Sequence, residues 1–142
     1  MRNTGPESPV PRAAAGQQRV GRRQARRQAL FLLYQWDLTR RPLETLFDGA
    51  PDEFASSLAH AVAAVASELD ARISAVSPEW PADRLGTLER NILRIGVYEL
   101  EEATVPAEVA INEAVVLAKR YATEDAARLV NGVLGRIRRE VA

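Results

Sequence analysis

The sequence predicts an all-α protein of six or seven helices. Three observations carry that expectation. Nowhere do four or more β-branched residues alternate with polar ones, as a half-buried strand would require. Apolar residues instead recur at three- and four-residue spacing, the period of a helix with one face buried. Proline-rich punctuation separates these stretches, most clearly in "SPEWPADR", where Pro78 and Pro81 bracket Trp80 and divide the chain in two. At 142 residues the chain is long enough to bury a single core.

Residues 1–18 are rich in Pro, Gly, Ser and Ala without an apolar period, so a disordered tail is expected there. The remainder, 19–142, is expected to form one domain with subdomains 19–78 and 82–142. A first helix is predicted from about Arg22 to Arg40, with Ala25, Ala29, Leu32, Leu33 and Trp36 as its core stripe. Pro42 ends it, because the residue before a proline is pushed out of the helical region. "PLETLF" predicts a short second helix. Pro51 to Val76 predicts a longer one, on which Phe54, Leu58, Val62, Val65, Leu69 and Ile73 share the helical period.

After the proline break, Asp83 is expected to cap the helix "RLGTLERNILRIGVYELEEA". Leu85, Leu88, Ile92 and Ile95 form its main stripe, while Leu93, Val97 and Leu100 fall elsewhere around it. A helix apolar on nearly all sides belongs at the centre of a fold. "VPAEVAINEAVVLAKRYA" follows with Pro106 at its first turn. "TEDAARLVNGVLGRIRREV" comes last, with Thr123 as N-cap and Glu124 and Asp125 at the positive end of the helix dipole. Asn112 and Asn131 read as architectural hydrogen-bonding groups, and Gly132 as a point of close helix approach.

Composition narrows the function. The chain has no cysteine, which excludes disulfides, thiolate metal sites and a cysteine nucleophile. Its apolar runs are too short to span a bilayer, and the N-terminus lacks the apolar core of a signal peptide, so a soluble cytoplasmic protein is expected. His60, the single histidine, has no acid or nucleophile at a useful spacing. No glycine-rich phosphate loop and no metal-ligand spacing occurs, so no enzyme, cofactor or metal is expected.

The net charge of zero hides a split. Up to Arg41, nine arginines stand against only Glu7 and Asp37; from Pro42 onward, ten basic residues face seventeen acidic ones. Such asymmetry is the compositional sign of a polyanion-binding end. Lys119 is the only lysine, an arginine bias that suits phosphate contact and that a GC-rich genome also produces.

Within "RVGRRQARRQALFLLYQWDL", Arg19, Arg22, Arg23, Arg26 and Arg27 span roughly 140° of a helical wheel, beside the core stripe. They crowd a helix N-terminus, where the dipole is already positive, and no acidic residue lies within four positions. A phosphate chain would relieve both penalties. Leu30, Tyr34 and Asp37 continue the arginine-bearing face, with helix packing the leading reading for Tyr34. Glu99 continues the stripe of Leu88, Ile92 and Ile95, so its carboxylate must be hydrogen-bonded or paired with an arginine.

Four motifs in order, "RRQARRQALFLLYQWDL", "LERNILRIGVYEL", "VPAEVAINEAVVLAKRY" and "TEDAARLVNGVLG", resemble the NusB family of bacterial transcription antitermination factors from about Gly21 to Gly135. The resemblance implies two small packed helical bundles. It also implies binding to single-stranded boxA RNA of ribosomal-RNA leader transcripts, together with NusE, a protein of the small ribosomal subunit. That pair would help load a complex, with other Nus factors, onto RNA polymerase so that it reads through terminators. Arg22, Arg23 and Arg26 match the family's arginine-rich RNA-binding segment, and Arg19 and Arg27 extend it. Tyr121, Thr123, Asp125, Arg128 and Leu129 match its second RNA-contacting region, and Tyr34, Asp83 and Glu89 its NusE-facing surface. Leu129 stands where the family often has phenylalanine, and Arg27 where an acidic residue is common. The alternative is a helical adaptor or homodimer whose arginines meet an acidic protein surface.

Overall fold

The computed structural model describes residues 15–47, 49 and 52–141, with side chains described from Gly21 to Glu140 within them. Most of the tail expected over 1–18 lies outside the described residues. The elements are α1 (Ala15–Thr39), α2 (Glu53–Ala64), α3 (Ala66–Val76), α4 (Thr87–Glu102), α5 (Ala107–Tyr121) and α6 (Glu124–Val141), with single 3-10 turns at Leu43–Thr45 and Ala82–Arg84. Among the described residues there is no strand, so the all-α expectation holds with six helices.

α1 starts at Ala15, ahead of the predicted Arg22. "PLETLF" gives a 3-10 turn rather than a helix, with Leu43 buried. The long helix expected from Pro51 to Val76 is two. Asp52 caps α2 by accepting the Ala55 N–H at 3.0 Å, and the chain then leaves helical geometry at Val65 (φ −120°, ψ 23°). The break redirects the chain. α2 packs on α1 and α4, whereas α3 packs on α4 and α6. No glycine or proline marks it, because the demand is tertiary.

α4 takes the central place that its all-round apolar character predicts, touching every other helix. Ile92, Leu93, Ile95 and Val97 are fully covered, and one continuous core joins both halves of the chain. At Gly96, α4 packs tightly on α6: a Cβ there would lie 2.6 Å from Leu134 Cδ1. That corrects the expectation for Gly132, around which a Cβ would meet nothing within 4 Å. Asn112 and Asn131 are exposed rather than architectural, beside a shallow groove between α5 and α6.

Asp83 does not cap α4. It sits exposed in the 3-10 turn, and Gly86 occupies the N-cap position. Thr123 does cap α6 as predicted, its Oγ1 accepting the Ala126 N–H at 2.9 Å.

Candidate nucleic-acid interface

The arginines of α1 divide into an inner and an outer set. Arg26 points inward, contrary to the expectation of a solvent-facing edge: it is 5% exposed. Its Nε and Nη2 donate to Glu99 Oε1 and Oε2, both at 3.0 Å. Glu99 is equally buried, so the arginine its position demanded is Arg26. The reason lies in the helical period. Arg26 lies one turn from Leu30 and two from Leu33, both fully covered, so it shares their inward face.

Asp37, a further turn along, is buried as well, and the face assigned to Leu30 and Asp37 is therefore core. Its carboxylate receives Arg90 Nη2 at 2.9 Å, Arg94 Nη1 at 3.1 Å and Asn91 Nδ2 at 3.1 Å. Arg94 also holds Asp70 through two bonds of 2.7 and 2.6 Å. Burial by itself would push the Asp37 carboxyl up. The Arg90 hydrogen bond, the Arg94 charge and the Asn91 amide outweigh it and hold the group below the usual carboxylate range.

Arg22, Arg23 and Arg27 stay outside this interior. Arg22 lies over the Phe54 ring, 4.4 Å from its centroid. Arg23 reaches across to α5, where its Nη2 donates to Glu113 at 2.7 Å, and that bond raises the guanidinium pKa further above its ordinary value. Arg27 donates to Gln24 at 2.8 Å. Arg19 lies in α1, but its side chain is outside the described residues.

α1 and α5 are not among the closely packed helix pairs, and the gap between them is an open cleft of about 650 Å³. Arg22, Arg23 and Arg27 line it from α1, and Arg120 and Tyr121 from α5. Tyr121 meets Phe31 edge to face, with ring centroids 5.1 Å apart, and the Arg120 guanidinium stands 5.8 Å from the tyrosine ring centre. The fold thus gathers Arg22, Arg23, Arg27 and Tyr121 at one opening, three residues before α6 begins.

Sequence reasoning missed Arg120. The dipeptide "RY" closing α5 was its available signal.

At the start of α6, Asp125 and Arg128 are both exposed and bonded to each other. Thr123 is exposed, with its hydroxyl oxygen engaged in the cap. Leu129 is half-buried and packs against the core.

Arg90 links the elements that carry Tyr34, Asp83 and Glu89. Its Nη1 donates to the carbonyls of Ala82 and Leu85, at 3.3 and 3.1 Å, while its Nη2 holds Asp37 on α1. The turn bearing Asp83 is thereby tied to the helix bearing Tyr34. Tyr34 and Glu89 are half-buried, and the Glu89 carboxylate folds back towards Gly86. Phe31 and Leu38, 36% and 56% exposed, flank Tyr34 on α1, and Trp80 is 55% exposed before the turn. The signal for Phe31 and Leu38 was an apolar stretch, "ALFLLYQWDL", with more apolar residues than one stripe can cover.

His60 is exposed and bonds the Ser56 carbonyl of its own helix at 2.8 Å. Among the described residues no three His, Cys, Asp or Glu side chains gather to hold a metal, and no helix is long and apolar enough to cross a membrane.

Comparison with known proteins gives a consistent result. The family model described as the NusB family matches residues 23–139. The transcription antitermination protein NusB of Rubrobacter xylanophilus is 42% identical over 122 residues, covering 81% of this chain and 88% of that protein. The solved structure of T. maritima NusB superposes with a TM-score of 0.73 at 35% identity, over 84% of this chain and 91% of that one. A crystal structure of antitermination factors NusB and NusE in complex with double-stranded RNA superposes at 0.72 with 32% identity, over 84% of this chain and 96% of the matched one. Helical architecture, matched length and identity all agree: the chain belongs to the NusB family of transcription antitermination proteins.

Proposed function

We propose that this protein is a non-enzymatic, cytoplasmic antitermination factor. It binds boxA RNA of ribosomal-RNA transcripts together with NusE, and so promotes terminator read-through by RNA polymerase. One observation carries the RNA reading: arginines from α1 and α5 converge with Tyr121 on a single open cleft, where phosphate contact and base packing are available together. Arg22, Arg23, Arg27 and Arg120 are the phosphate-facing cations, and Arg19, one turn earlier in the sequence of α1, is a further candidate. Arg26 contributes by holding α1 in place rather than by offering free N–H groups. At α6, Asp125 and Arg128 supply polar groups for base edges; Thr123 fixes the helix start and Leu129 supports it from below.

NusE takes the surface formed by Tyr34, Asp83 and Glu89, widened by Leu38. A homodimer through the same α1 face is the competing use of that surface. The NusB relative crystallised with NusE carries double-stranded RNA, so a duplex of matched sequence belongs in the test.

The experiment is a salt titration of binding to short single-stranded boxA RNA and to the duplex of matched sequence, with and without NusE. About four neutralised phosphates give a log–log slope near −3. Binding tighter than to scrambled RNA in the presence of NusE supports the proposal. A flat slope, or equal affinity for the scrambled strand, overturns it in favour of a protein-binding adaptor.

A further inference from the structure

The cleft between α1 and α5 is not uniformly cationic. Its interior is charge-balanced: Arg26 at the floor is held by Glu99, and Arg23 at the wall by Glu113, whose side chain is 12% exposed. Its rim is not balanced. Among the described residues no carboxylate pairs with Arg22, Arg27 or Arg120. The remaining wall is apolar and comes from α5 and the residues before it, with Val109 41% exposed and Val105 half-buried.

A phosphate is poorly placed in that interior. Glu113 would repel it, and Arg23 engages Glu113 through its Nε and Nη2, leaving its exposed outer edge for a phosphate at the mouth. A neutral planar ring suits the interior better, because the valine wall is freed from water and no charge is stranded. Phosphates on either side of such a ring would then fall at the unbalanced rim. A site with an apolar wall, neutralised ion pairs inside and unpaired cations at its mouth fits a nucleotide unit of a single strand, whose bases can splay away from one another.

We propose that this cleft takes one unstacked nucleobase of the bound RNA, its ring against Val109 and its flanking phosphates on Arg27 and Arg120. This rests on the RNA reading above and deepens it: the arginine region is a base-receiving pocket as well as a phosphate track.

The test is an abasic scan of the boxA strand against the full-length protein. One position should stand out, with removal of its base weakening binding about tenfold, as base packing on a side chain does. Val109→Ser should weaken the intact RNA to a similar degree without changing the salt slope, and should remove the penalty at that position. Val109→Leu, which keeps the apolar wall, should restore both. A scan with no sensitive position, or a penalty that persists in full in Val109→Ser, overturns the pocket while leaving RNA binding intact. A wild-type protein that binds no intact RNA at any salt overturns the proposed function and the pocket together.

Discussion

Arg23 and Arg26 stand three residues apart on one helix, and their surroundings make them different kinds of residue. Arg26 is buried against Glu99, and the same interior continues through Asp37, Arg90, Arg94 and Asp70. Arg23 has a side chain 61% exposed and pairs with Glu113 at the wall of an open cleft. Composition counts both as members of a basic cluster. Burial separates them: an interior ion pair is indispensable once formed, because removing one partner strands the other, whereas an exposed pair is nearly neutral.

The largest expected effect follows from breaking the inner set. Arg26→Ala leaves Glu99 buried without its cation and should destabilise the fold by about 3–5 kcal/mol in chemical denaturation. A loss below about 1 kcal/mol would mean that Glu99 finds water or another partner. For the same reason Arg26→Glu, which sets two carboxylates together in the interior, cannot serve as a probe of RNA contact.

Asp37 gives the comparison a pH axis. Its folded pKa is depressed, so the stability it contributes is fully present above the unfolded carboxylate value of about 4 and is lost as pH falls through the lower, folded value. Melting temperature should therefore hold level down to about pH 5 and drop on further acidification. Asp37→Asn should lower the plateau and shrink the acid-induced drop; an unchanged drop would assign it to other carboxylates.

The outer set should respond in the opposite manner. Arg23→Gln removes an exposed pair and should cost no more than about 1 kcal/mol. Arg120→Gln should leave stability within about 0.5 kcal/mol while making the salt slope of RNA binding shallower by about 0.7. If Arg120→Gln left the slope untouched, Arg120 would be removed from the phosphate contacts.

The helical architecture was legible because periodicity and caps are local properties. α4 announced its central place by being apolar all round, and Thr123 announced the start of α6. The break at Val65 was not legible, because it answers the need of α2 and α3 to cover different partners. Among the candidate site residues, the α1 arginines and Tyr121 were named from sequence and resemblance, and the fold brings Arg22, Arg23, Arg27 and Tyr121 to one cleft. Which arginine turned inward was half visible: Glu99 required a cation, but only the fold could choose Arg26 from five neighbours. Val109 carried no signal and Arg120 only the "RY" that closes α5, since a cleft exists only once two helices stand side by side.

The chain's two tryptophans fall on opposite sides of the division between interior and surface. Trp36 is partly buried, with the Arg94 guanidinium 6.0 Å from its ring centre, beside the Asp37 network. Trp80 stands out in solvent, ahead of the turn that carries Asp83. The protein therefore contains its own pair of optical reporters. With Trp80 replaced by Phe, the remaining emission follows the interior through acid or denaturant. With Trp36 replaced instead, it follows whatever settles near the Asp83 turn, with no dye attached.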